Sequence, residues 1–338
     1  KMVSKSKSAD ELLCLKFNQD YSCFTVGTDC GFRIFNSYPL RYCFRRDFPG
    51  GFGIVELLYR TNIVALVGGG KSPRYPPNKV IIWDDHQMRP TGELCFRTEV
   101  KGVRLKRQGI AVVLENKVYV YTLAELKLRD HIQTVANPKG LCAVCSEPDK
   151  WVLACPDKEK GCIKVQLYDE DRSVQVQSHD SSIVCLELNS SGTLLASASD
   201  KGTVIKVFST NDGSCLQELR RGIDRAEIYC VAFHPTDPWI AVSSDKGTIH
   251  IFSLEPEKNP RSALKFMRAV FPDYFDSQWS FAQFRVRDAK TICAFPREPN
   301  TLTVLNSEGN YYLASFNPES GGDCVKLEQE QIVELTMS

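Results

Sequence analysis

Apolar and polar residues alternate along most of this chain, in short runs broken by turn-forming residues. Seven runs share one shape, a turn followed by an alternating stretch that ends on an aromatic or apolar residue. They are Gly31-Phe-Arg-Ile-Phe35, Lys79-Val-Ile-Ile-Trp83, Lys117-Val-Tyr-Val-Tyr121, Ile163-Lys-Val-Gln-Leu-Tyr168, Gly202-Thr-Val-Ile-Lys-Val-Phe208, Gly247-Thr-Ile-His-Ile-Phe252 and Gly309-Asn-Tyr-Tyr-Leu-Ala314. Period two places alternate side chains on one face of a β-strand, so each run predicts a strand with a buried face. Their last residues are 48, 38, 47, 40, 44 and 62 positions apart. A period near 45 with several strands per repeat predicts blades of a propeller.

The preceding half of each repeat agrees. Ile183-Val-Cys-Leu-Glu-Leu188, Ser190-Ser-Gly-Thr193 and Leu194-Leu-Ala-Ser-Ala-Ser199 read as strand, turn, strand. Ile228–Phe233, His234–Pro238 and Trp239–Ser244 repeat that reading one blade later. The prediction is all-β: one seven-bladed β-propeller of WD40-like, four-stranded blades spanning 1–338. A β-sandwich would not account for seven copies at nearly constant spacing. The last gap exceeds the period and predicts an insertion in blade 6 at about 255–278, before a final strand Trp279-Ser-Phe-Ala-Gln-Phe284. Either the N-terminal residues or Val325–Val333 complete blade 7.

Composition narrows the chemistry. The 338 residues are 43% hydrophobic and 25% charged, with a formal net charge of +1. No bulk attraction to nucleic acid or anionic surfaces follows, so any anion site must be a local arrangement of Lys and Arg. The 14 cysteines mostly stand singly in apolar runs, as Cys14, Cys23, Cys95, Cys185, Cys230 and Cys293 do, where a thiol packs as a small hydrophobe. Cys142 and Cys145 lack a second pair and would face opposite ways in a strand, so no metal site is expected. No apolar run is long enough for a membrane-spanning helix, and the first residues lack the apolar stretch of a signal peptide. A cytosolic protein in a reducing compartment is expected.

One short motif carries candidate binding chemistry. Leu216-Gln-Glu-Leu-Arg-Arg-Gly222 closes blade 5. Adjacent strand residues point to opposite faces, so Arg220 and Arg221 can serve two separate anion pockets, one toward blade 5 and one toward blade 6, although an Arg-Arg pair at a strand end can also simply be solvated. The planar guanidinium donates paired hydrogen bonds to a phosphate. Gly222 removes a side chain where the strand turns into the next blade. Blade 5 offers Ser197, Ser199, Thr203 and Lys206; blade 6 offers Ser243, Ser244, Thr248 and His250. Lys206 and His250 hold equivalent places in successive repeats. The hydroxyls are also ordinary turn residues, and His179 can brace the start of its blade.

Leu219-Arg-Arg-Gly222 resembles the Phe/Leu-Arg-Arg-Gly signature of the PROPPIN family, propellers that bind phosphoinositides and include the WIPI proteins of autophagy. Phe17-Asn-Gln-Asp20, Leu66-Val-Gly-Gly-Gly70, Tyr75-Pro-Pro-Asn-Lys-Val80, Asn137-Pro-Lys-Gly-Leu141 and Trp279-Ser-Phe281 extend the resemblance over residues 11–316. It implies two headgroup sites for phosphatidylinositol 3-phosphate and the 3,5-bisphosphate. The first would use Arg220 with His179, Ser197, Ser199, Thr203 and Lys206. The second would use Arg221 with Ser243, Ser244, Thr248 and His250. It also implies a cytoplasmic adaptor, monomeric in solution, recruited peripherally to preautophagosomal and endosomal or vacuolar membranes.

Within the insertion, Ala263, Phe266, Met267, Val270 and Tyr274 fall on one face of a helix, with Arg261, Lys265 and Arg268 off that face. Such a segment suits a peripheral membrane anchor, and the resemblance implies that this loop enters the bilayer through Phe266, Met267, Val270 and Phe271. The loop Gly68–Asn78 is no P-loop, because Gly70-Lys71-Ser72 leads into Pro73 rather than a helix. An exposed Pro-rich loop is a protein-docking element, and the resemblance implies that Pro73 and Arg74 contact the lipid-transfer protein of autophagosome growth. No nucleophile elbow, metal spacing or histidine constellation points to an enzyme or a cofactor. The alternative is a propeller scaffold that binds peptides and no lipid.

Overall fold

The computed structural model describes residues 10–255, 257–259, 278–287 and 289–332. They form seven antiparallel sheets whose main strands pair in sequence order, the seven blades of a propeller. From the axis outward, blade 1 comprises Leu12–Phe17, Cys23–Thr28, Gly31–Asn36 and Arg41–Asp47. Blade 5 comprises Ile183–Leu188, Leu194–Ser199, Val204–Ser209 and Cys215–Arg220; blade 6 comprises Ile228–Phe233, Trp239–Ser244, Thr248–Ser253 and Ala282–Arg285. Each of the seven runs read from the sequence lies in the third strand of its blade.

The repeat exists because a twisted four-stranded sheet with two apolar faces cannot cover either by itself. Seven apolar clusters fill the seven seams between blades, so every blade is buried on both sides. Aromatic ends of the third strands supply much of this filling: Phe35, Phe208 and Phe252 are fully or almost fully buried. Trp83 meets Phe48 edge to face at 5.2 Å across the seam of blades 1 and 2.

Blade 7 is built from one stretch of chain: Thr291–Ala294, Thr301–Asn306, Asn310–Ser315 and Val325–Gln331. The C-terminal strand therefore completes it, and Leu12–Phe17 serves blade 1 instead. Among the described residues no strand is shared across the closing seam, which is held by side-chain contacts. Tyr311 of blade 7 is fully buried, stacks on Phe24 of blade 1 at 6.5 Å, and donates its hydroxyl to the Ser37 carbonyl at 2.9 Å.

Two expectations need correction. Trp279–Phe284 is not one strand: Gln278–Trp279 pairs in parallel with Leu219–Arg220 on the outer edge of blade 5, and only Ala282–Arg285 belongs to blade 6. The exposed edge of blade 5 accepts this short strand because its backbone groups otherwise lack partners. Cys95 is exposed, because it lies on the solvent face of the outermost strand of blade 2. Cys142 and Cys145 are both buried, in different clusters on either side of blade 4, as period two requires. All 14 cysteines are free thiols.

Replacing Tyr311 by Ala should lower unfolding stability by about 3–5 kcal/mol, as for other buried aromatic truncations. Tyr311→Phe should cost only about 0.5–1.5 kcal/mol, through the lost hydrogen bond. Urea titration measures both, and a midpoint unchanged in Tyr311→Ala would contradict closure of the ring at this seam.

Candidate functional site

The outermost strand of blade 5 ends at Arg220, opposite Val204. Its last residues behave as alternation demands. Leu219 is fully buried in the seam of blades 5 and 6. Arg220 lines a cleft of about 570 Å³ with His179, Ser199, Thr203, Lys206, Lys201 and Glu218. Arg221 turns away from it: Nε donates to the Gly202 carbonyl at 2.9 Å, and the guanidinium also donates to the Asp224 carbonyl. The Thr203 carbonyl accepts the Arg221 amide at 2.9 Å and so fixes the backbone between the two arginines. Burial lowers the Arg221 pKa, opposed by Asp245 and Asp224.

Two glycines hold this geometry. Gly161 has φ +79°, and a Cβ there would lie 1.7 Å from the His179 carbonyl oxygen; its own carbonyl accepts the Ser178 and His179 amides at 3.0 Å. Gly202 has φ +63°, and its Cβ would meet the Ala226 oxygen at 1.9 Å. Gly222 differs from the sequence reading. A Cβ there meets nothing within 4 Å, so the turn into blade 6 does not require a glycine.

In the first cleft, His179 Nε2 lies 3.1 Å from Ser197 Oγ, and Ser197 also bonds the Ser178 hydroxyl. Burial drives the His179 pKa down to about 4, with Lys206 acting in the same direction. Imidazole is thus neutral at physiological pH. Lys206 Nζ pairs with Glu218 at 2.9 Å; burial acts to lower its pKa, but the bond to Glu218 raises it overall. Ser197 is fully buried and meets the cleft through His179 and Ser178, whereas Ser199 and Thr203 line it directly.

Blade 6 is not a copy of blade 5. The cross-strand partner of Lys206 is Ser197, but that of His250 is Val242. Ser243 therefore points to the opposite face, where it is fully buried and donates to the Thr291 carbonyl of blade 7 at 2.8 Å. The structure does not bring Ser243 to His250. Ser244 is buried, and its hydroxyl accepts the Lys246 amide at 3.4 Å in the following turn. Thr248 is half-buried opposite Arg285. His250 lies beside Arg221, and its pKa is lowered to about 4 by burial first and by Arg221 second. Ser280, not singled out in the sequence, stands 3.1 Å from His250 Nδ1. Only the resemblance in Trp279-Ser-Phe281 pointed near it. Lys201, which lines the first cleft, was visible in the repeated Ser-Asp-Lys-Gly-Thr turn.

Pro73 and Arg74 are exposed on a loop tied to blade 2 through its backbone: Arg74 N donates to the Gly51 carbonyl at 3.1 Å, and Gly51 N to Ser72 at 2.9 Å. The Arg74 guanidinium lies over the Tyr75 ring at 5.2 Å. Phe266, Met267, Val270 and Phe271 lie outside the described residues. Among the described residues, no helix is long and apolar enough to cross a membrane.

Cavities of about 660 and 550 Å³ open at the axis of the ring. The second is also lined by Lys101, Lys139 and Lys290. Lys16 pairs with Glu56 at 2.6 Å, and Glu187 lies near Arg104 and Lys16. Burial pushes Glu187 up to about 7, against both cations.

Residues 11–333 match the family described as PROPPIN. Autophagy-related protein 18e of Arabidopsis thaliana is 40% identical over 341 residues, spanning 98% of this chain and 90% of that protein. SVP1-like protein 2 of Pichia angusta is 39% identical over 287 residues, spanning 80% and 79% respectively. Among solved structures, Kluyveromyces lactis Hsv2 superposes with a TM-score of 0.80 at 24% identity, over 96% of this chain and 99% of that one. A chain in the complex of KlAtg21 with the coiled-coil of AgAtg16 superposes with a TM-score of 0.78 at 25% identity, over 95% and 99%.

A phosphate entering the first cleft must compete with Glu218 for Lys206. Glu218→Gln should therefore tighten binding of inositol 1,3-bisphosphate about two- to fivefold at low salt, the scale of one partly exposed ion pair. Calorimetry on wild type and variant decides it, and weaker binding by the variant would exclude Lys206 as a phosphate ligand.

Proposed function

The chain belongs to the PROPPIN family, and from that premise we propose that it is a phosphoinositide-reading adaptor of autophagic and endolysosomal membranes. The observation that carries this reading is the back-to-back placement of Arg220 and Arg221 at one strand end. One arginine lines the cleft of blade 5, and the other turns away from it, close enough to His250 of blade 6 for its charge to lower the pKa of that ring. Each guanidinium can meet one headgroup phosphate with charge-assisted hydrogen bonds. The ligands are phosphatidylinositol 3-phosphate and the 3,5-bisphosphate. Gly222 supports the reading: with its Cβ position open, it leaves room for an incoming group.

Each site is a shallow anion pocket, so single contacts are weak. Two pockets and an apolar loop acting together make later contacts intramolecular, which can raise avidity by about 10²–10⁴. On sequence grounds, Phe266, Met267, Val270 and Phe271 supply the apolar contact. A monomer in the cytoplasm would thus be held peripherally at preautophagosomal and endosomal or vacuolar membranes. Pro73 and Arg74 present an exposed docking point for the autophagy lipid-transfer protein. A second reading, a scaffold for coiled-coil proteins, is favoured by the likeness to a chain in the complex of KlAtg21 with the coiled-coil of AgAtg16.

Arg220→Thr should remove one of two headgroup sites. Arg221→Thr should also lower stability, by about 1–3 kcal/mol, because it strips the Gly202 and Asp224 carbonyls of their donor. Arg220→Thr with Arg221→Lys keeps a donor at the second position and separates folding from binding. Flotation with vesicles containing phosphatidylinositol 3-phosphate should be lost in the double Thr variant. Undiminished flotation by a folded double variant would leave the scaffold reading.

Phe266→Ser with Phe271→Ser should weaken flotation strongly and leave soluble-headgroup affinity near wild type, since each buried Phe contributes about 1.5–3 kcal/mol when fully inserted. Intact flotation would place these residues outside the bilayer.

A further inference from the structure

The segment leaving the blade 6 insertion physically links the two candidate pockets. Gln278 and Trp279 lie on the edge of blade 5, opposite Leu219 and Arg220. Buried Asn259 clasps the segment's start, donating to Gln278 Oε1 at 2.6 Å and to the Ser253 carbonyl at 2.5 Å. Two residues later the Phe281 amide donates to the Ile251 carbonyl of blade 6 at 2.8 Å, and its ring packs 5.1 Å from Trp239. Ser280 is therefore pinned between anchors in two blades. Its hydroxyl lies 3.1 Å from His250 Nδ1.

A neutral imidazole has one donor and one acceptor nitrogen, and a partner at one nitrogen decides which form the other takes. A phosphate oxyanion needs a donor. We propose that Ser280 is a positioning residue of the second site: its hydroxyl donates to His250 Nδ1, holding the proton on Nε2 as a donor for a phosphate oxygen. Ser197 plays the mirrored part at the first site. Its hydroxyl, itself bonded to Ser178, donates to His179 Nε2 and leaves the proton on Nδ1. The two pockets then present opposite nitrogens of two neutral rings, and charge comes from the arginines and Lys206. Burial in both sites and Arg221 beside His250 disfavour a charged imidazolium, consistent with this division of labour.

The role assigned to these rings rests on the phosphoinositide reading, but their tautomers do not. Nitrogen-15 correlation spectra of the unliganded protein at neutral pH should show His250 protonated on Nε2 and His179 on Nδ1. In Ser280→Ala the His250 signals should shift toward a mixture of tautomers, with the melting temperature unchanged. Affinity of the second site for inositol 1,3-bisphosphate, read in an Arg220→Thr background, should fall about two- to tenfold, one hydrogen bond's worth. Ser280→Thr should restore both. A wild-type His250 carrying its proton on Nδ1, or unaltered by Ser280→Ala, overturns the proposal whatever the binding data. The expected tautomers with no headgroup binding by the wild type would instead overturn the functional reading and reduce Ser280 to orienting an idle ring.

Discussion

Every blade needs a neighbour on each side, and the seam between blades 7 and 1 is the one that chain continuity does not supply. Sequential blades are brought together by short connections, but this seam joins segments some 270 residues apart, as the bond from Tyr311 to the Ser37 carbonyl spans. It is filled by Phe24, Val26, Phe35, Leu305, Tyr311, Leu313 and Ile332, and among the described residues no strand is shared between blades 7 and 1. Closure sets the angle between all blades, and so the width of every gap between them. The first cleft draws its lining from blade 5 and from residues 177–181 that lead into it.

At that connection, strand alternation does the chemical sorting. Consecutive residues Leu219, Arg220 and Arg221 go to the core, to the blade 5 cleft and to the blade 6 side. The arginines are not equivalent. Arg221 is tied to two backbone carbonyls, which orient it at the cost of part of its donor capacity. Arg220 sits in a cleft where Lys206 is already paired with Glu218. Such sites favour a ligand with enough charge to outcompete internal partners, and they discriminate against weaker anions.

The seven repeats, the strands and the Leu-Arg-Arg-Gly motif were legible in the sequence, because period-two alternation and turn chemistry are local properties of the chain. So was the separation of Arg220 from Arg221, which needs only two adjacent positions on a strand. The partner of each side chain was not legible. Ser197 and Ser243 look alike in sequence, yet a one-residue offset sends one toward His179 and the other onto Thr291 of blade 7. Trp279 read as the start of a blade 6 strand and Gln278 as the end of the insertion, but the edge of blade 5 captured both. Ser280 reaches His250 across 30 positions of chain. Sequence determined which residues alternate and where the chain turns. Only the tertiary structure decided which edge was free, which face met which blade, and hence which hydroxyl reached which imidazole, because those contacts depend on how separately formed sheets pack.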